Sequence, residues 1–219
     1  MRTQLALPGL EPVYRAFLTA SSELTALPDA LRAELWTSQQ LGVLEAAAPD
    51  PRGYRRALAD LILVLREAAT PEAYTFLRVL AAIGPDEVRP DAARVADDLP
   101  GAQAPAWTRQ AGQVVAGEAW LIQDGTLGAD QLVCEFRYAG GGGLHALLTR
   151  PAPLEIMVIG DVPGMMAQVR QGVVNEECAV LRISPVAAGE RLRAALAGDH
   201  PENCHPVLAL ARQRFSLLR

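Results

Sequence analysis

Near Gly112 the spacing of apolar residues changes, and no other feature constrains the fold of this chain as tightly. Upstream, apolar side chains recur every three or four positions, the repeat that lines them along one face of a helix. Downstream, short runs at 113–123, 131–138, 144–149 and 154–159 alternate or are wholly apolar, as strands against a core are. The order of the two repeats predicts an α+β fold. An N-terminal helical bundle or layer over 1–100 comes first; a small antiparallel β-meander at about 113–160 and closing C-terminal helices make up an α+β region over 106–219.

Local signals agree with this order. Pro12 falls in the first turn of a helix over 11–25, Asp29 caps one over 30–47, and Ala48-Pro49-Asp50-Pro51 ends it. A helix over 53–69 carries Leu58, Leu61, Ile62, Leu65 and Ala69 on one stripe. Thr70-Pro71 opens a fourth, with Tyr74, Leu77, Leu80 and Ala81 as its expected apolar face and Phe76 beside them; Gly84 closes it. A weaker helical segment spans 86–99, and the helices follow no solenoid period. The Pro- and Gly-rich stretch 100–105 is the expected linker. In the first strand Val115, Trp120 and Ile122 alternate imperfectly, and turn signals follow at 124–125 and 128–130. In the second, Leu132, Cys134, Phe136 and Tyr138 share one face. Val133, Glu135 and Arg137 share the other, which its opposite charges mark as solvated. A meander of three or four strands is the simplest topology. A short helix over 163–171, a short strand over 180–183, a helix that Ser184-Pro185 opens and Gly198 stops, and an arginine-bearing helix over 207–218 complete the chain. Leu208, Ala211, Phe215 and Leu218 lie on one side of the last helix.

Composition removes several function classes. Lysine is absent and all 20 basic residues are arginine, so no Schiff-base lysine and no P-loop lysine exists. A net charge of −5 opposes a surface that tracks phosphates. The densest basic cluster, Arg52-Gly53-Tyr54-Arg55-Arg56, would carry the function of a DNA-associated regulator; its ordinary reading is a solvated helix end. Three cysteines make no disulfide framework and suit a reducing compartment. The opening residues, broken by Pro8-Gly9, lack the core of a signal peptide, and the apolar stretch 57–65, interrupted by Asp60, is too short to span a bilayer. A cytoplasmic protein without a membrane partner is expected.

Each candidate for chemistry has a structural reading beside it. The glycine run 140–143 could cradle an anion, but between two strands it serves a hairpin, where glycine supplies positive φ without steric cost. His200, Cys204 and His205 lie close enough in sequence to begin a zinc site, with Cys178 or Cys134 as a further ligand; no paired-cysteine or HExxH motif supports it. His145, Glu135 and Asp161 could form an acid–base site if the meander brought them together. Cys134 or Cys204 with His145 could serve as nucleophile and base, although a cysteine among apolar strand neighbours behaves as a small hydrophobe. The neighbouring carboxylates Glu176-Glu177 and Asp97-Asp98 diverge. Met165-Met166 could line an adaptable groove or fill the core. Trp36, Trp107 and Trp120 are too dispersed to form an aromatic box.

At 80–85 (LAAIGP), from Trp120 through His145-Ala146-Leu147, and at 183–197 (ISPVAAGERLRAALA), the chain resembles a family of uncharacterised actinobacterial proteins. These have a helical N-terminal part, a strand ending in an acidic residue and an aromatic, and a strand opening on histidine. The corresponding residues here are Glu135, Phe136 and His145. Where the family continues with an aspartate–histidine pair and a glycine step, this chain has Thr149-Arg150-Pro151, which removes any polar site built on that pair. The resemblance implies the α+β arrangement and no activity.

No motif fixes a reaction or a cofactor. The leading expectation is a non-enzymatic interaction or regulatory module that acts through an apolar surface on another protein, with homo-oligomers as one form. The alternatives are a small-molecule or metal-dependent enzyme built around His145, Glu135 and Asp161, and the DNA-associated regulator.

Overall fold

The caps foreseen at Asp29 and Thr70 form, and Asp50, expected only within the stretch that ends the second helix, caps the third; the side-chain oxygens accept the amides of Arg32, Ala73 and Gly53 respectively. They open three of the helices in the computed structural model, which describes residues 5–99, 104–124, 130–141, 143–175, 177–198 and 205–219. The chain divides into two compact units: Met1–Gly112 with Leu208–Leu210, and Gln113–Val207 with Ala211–Arg219. Of the stretch expected as a linker, residues 100–103 lie outside the described residues.

The first unit holds α1 (Glu11–Thr25), α2 (Ala30–Ala47), α3 (Pro51–Ala68), α4 (Pro71–Ile83) and α5 (Arg89–Asp97). Packed against the other four, α4 buries Ala73, Phe76, Leu77, Val79, Leu80 and Ile83, so its apolar surface is wider than the single face expected. Tyr74 and Ala81 of that expected face are only half-buried. Polar ties fix the ends of the chain segments. The buried Asp60 carboxylate accepts the amides of Ala6 and Leu7 at 2.9 and 2.8 Å, and the Trp107 indole donates to the Leu27 carbonyl at 2.7 Å. Gly112 marks the change of repeat; its amide donates to the buried Glu34 carboxylate at 2.7 Å. Its φ of 74° and a Cβ position 2.9 Å from the Ala82 Cβ leave room for glycine alone.

In the second unit β1 (Val114–Asp124), β2 (Asp130–Tyr138), β3 (Leu144–Pro151), β4 (Leu154–Ile159) and β5 (Cys178–Ile183) form one antiparallel sheet in the order β4-β3-β2-β1-β5. The four-strand meander is therefore extended by a fifth strand beside β1. The connection from β4 to β5 is α6 (Val162–Val174), which crosses one face of the sheet from edge to edge. The opposite face receives α7 (Pro185–Leu196) and the Ala211–Arg219 end of the chain, which includes the second half of α8 (His205–Ser216). A register shift between Ala116 and Ala119 places an extra residue in β1. That bulge explains the imperfect alternation: Val115 and Trp120 share a face although an odd number of steps separates them.

The face of Val133 is not the solvated one expected. Val133 is fully buried with Ile122, Ala146, Val162 and Met166 under α6, and only the end carrying Glu135 and Arg137 opens to solvent. A crossover helix covered what charge alternation suggested was bare. Turn residues 125–129 and Gly142 lie outside the described residues, while Gly141 has the positive φ of a hairpin turn. None of the described helices is long and apolar enough to cross a membrane.

Candidate functional site

Register decides the fate of the proposed acid–base trio. His145 pairs with Phe136 and Ala146 pairs with Glu135, so His145 and Glu135 project from opposite faces of the sheet. Asp161 is exposed at the start of α6, where its Oδ1 accepts the Gly164 amide at 2.9 Å as the helix cap. The structure does not bring the three together.

His145 instead belongs to a closed polar core. Its Nε2 accepts from Arg214 Nε at 3.1 Å, and its Nδ1 faces the Gly143 carbonyl at 3.5 Å. This assigns the neutral tautomer with the proton on Nδ1. Arg214, itself fully buried, donates to the Tyr138 hydroxyl at 3.1 Å and to the Gln213 side chain. The Phe136 and Tyr138 rings lie 5.9 and 5.5 Å from the imidazole. Burial, reinforced by the Arg214 charge, lowers the His145 pKa to about 4. At neutral pH the imidazole is a fixed acceptor shut off from solvent, without the access that proton transfer to a substrate needs. Cys134 is buried on the same face, and burial pushes its thiol up to about 12, which suppresses the thiolate a nucleophile requires. Glu135 is half-buried at the open end of the other face; burial first, then the Glu118 charge, raises its carboxyl above the ordinary range.

His200 and Cys204 lie outside the described residues, and His205 opens α8 half-buried. Among the described residues no three His, Cys, Asp or Glu side chains gather as metal ligands. Arg52, Arg55 and Arg56 are exposed on the first turns of α3, while Gly53 and Tyr54 between them face inward.

An open concavity lies elsewhere, between α6 and the sheet, with a volume of about 370 Å³. Ile122 and Leu148 form its floor, and Met165 and Val169 of α6 form its wall. Gln131, Gln168 and Glu177 line its polar side. Positions 165, 168, 169 and 172 of α6 face the cleft, the stripe that helical spacing dictates. At Gly172 a Cβ would stand 3.1 Å from the Cys178 sulfur, so the missing side chain makes space for the thiol; Glu177 Oε2, at 3.7 Å, would be in ordinary contact. The Cys178 thiol donates to the Val169 carbonyl at 3.7 Å, and the Glu177 amide donates to the Gly172 carbonyl at 2.9 Å, joining the end of α6 to β5. Met165 and Met166 divide the two roles open to them: Met166 is core, and Met165 lines the cleft.

Beyond the groove-lining role offered for Met165-Met166, sequence reasoning missed this cleft because its residues come from five elements and carry no shared motif. It also missed Arg214, although a signal existed. Arg214 stands three residues after Ala211 and four before Leu218, on the apolar stripe of its own helix. No protein family, curated protein or solved structure matches the chain.

Proposed function

We propose that this protein is a non-enzymatic binding module whose site is the cleft between α6 and the sheet. The observation that carries the reading is an open, mainly apolar concavity edged by a few polar side chains, the construction typical of small-molecule sites. The polar core around His145 supports binding over catalysis, because the strongest acid–base candidate is enclosed and engaged. The ligand is a small apolar molecule, and a regulatory role follows if its occupancy steadies α6. The two described cysteines are free, which favours a reducing cytoplasm as the working compartment.

The test is titration with the neutral dye N-phenyl-1-naphthylamine, which brightens on leaving water. A saturable rise that Val169→Trp abolishes, with the fold intact by circular dichroism, supports the cleft. No rise, or an equal rise in the variant, rejects it.

A protein partner is the second reading, favoured by Leu181 on β5 and Met157 on β4. These apolar side chains are 50% and 54% exposed on the two edge strands. An added strand would pair with an edge and cover one of them. For a second copy of the chain as partner, sedimentation should show a dimer that Leu181→Lys or Met157→Lys disperses; a monomer at every concentration rejects that form.

A further inference from the structure

We infer that the ligand of the α6 cleft is an apolar amine, held by its ammonium group at Glu177 with its hydrocarbon part against Ile122, Leu148 and Met165. This rests on the cleft being the binding site and adds the charge and polarity of what it takes. Among the described cleft-lining residues, Glu177 is the one with an acidic side chain, and none is basic. Glu177 is placed at the cleft by local construction. Its amide is tied back to α6 through the Gly172 carbonyl at 2.9 Å, and at Gly172 no side chain stands against Oε2, which a Cβ there would meet at 3.7 Å. Among the described residues Glu177 forms no ion pair, whereas Arg150, Arg182 and Arg78 are each matched with a carboxylate elsewhere. The amides of Gln131 and Gln168 both accept and donate and so serve either kind of head, while at Glu177 an ammonium meets an opposite charge and an anionic head a like one. An ammonium on an alkyl chain satisfies both ends of the cleft; a fatty carboxylate satisfies one.

The experiment displaces N-phenyl-1-naphthylamine from the full chain at low ionic strength with octylamine, 1-octanol and octanoate, all below their aggregation limits. Octylamine is expected to displace the dye at about threefold lower concentration than octanol and about tenfold lower than octanoate, the scale of a solvent-accessible ion pair and of its like-charge opposite. In Glu177→Gln the amine and the alcohol should become equal within about twofold. Octanoate matching octylamine, or a preference for the amine that survives Glu177→Gln, overturns the inference while the cleft stands as the site. A chain that binds none of the four compounds removes the cleft and the inference together.

Discussion

Arg214 shows how one side chain can specify a packed interior. A guanidinium enclosed among rings persists because His145, Tyr138 and Gln213 each offer it an acceptor, with the Tyr138 ring 5.6 Å from its central carbon. Arg214→Ala leaves a cavity and strands those acceptors, and should cost about 4 kcal/mol in urea unfolding; a loss below about 1 kcal/mol would show that the network is dispensable. His145 provides a second prediction. Its pKa is about 4 when folded and near 6.5 when unfolded, so between those values the unfolded chain binds the proton and the folded chain does not. Stability should therefore fall as pH drops from about 6.5 to 4, by about 3 kcal/mol from this group, and level off below. Urea midpoints of the natural chain and His145→Gln across that window isolate the contribution, because glutamine keeps an acceptor that does not titrate. Parallel curves for the two proteins would contradict it.

At the scale of elements, much was legible from sequence and the exceptions share a cause. Capping residues and repeat spacing located the bounds of α1, α2 and α4 within a residue, because both are local properties. The solvated face assigned to Glu135 and Arg137 failed at Val133, because the helix covering it returns from a distant part of the chain. The cleft stayed hidden for the same reason: Ile122, Leu148 and Cys178 become neighbours only once β5 pairs with β1. Cap residues and close approaches give direct tests. Asp161→Ala should destabilise α6 by about 1 kcal/mol while Asp161→Ser largely retains the cap, a pattern that an acid–base role would not produce. Gly189 of α7 lies where a Cβ would stand 2.5 Å from the Leu218 carbonyl oxygen. Gly189→Val should therefore lower stability by about 1–3 kcal/mol in denaturant unfolding, and a neutral result would mean that the chain end yields to the added side chain.

For the whole molecule, the sequence placed helices before sheet and a short strand late in the chain; the structure keeps that order and sets the late strand beside β1. Ligand binding and stability are linked at this scale. A neutral apolar ligand present at a hundred times its dissociation constant should raise unfolding free energy by about 2.7 kcal/mol, readable as a shift of the urea midpoint; saturable binding without a shift would place the ligand on the unfolded chain as well. The position of β5 also has a consequence for synthesis. As the chain leaves the ribosome, β1 through β4 can pair in sequence by short hairpins, but one flank of β1 must wait for α6 and then Cys178–Ile183 to emerge. Until then the nascent meander offers an open hydrogen-bonding rim beside Trp120 and Ile122, and a pause in translation just before β5 would lengthen the interval in which chaperones must shield it.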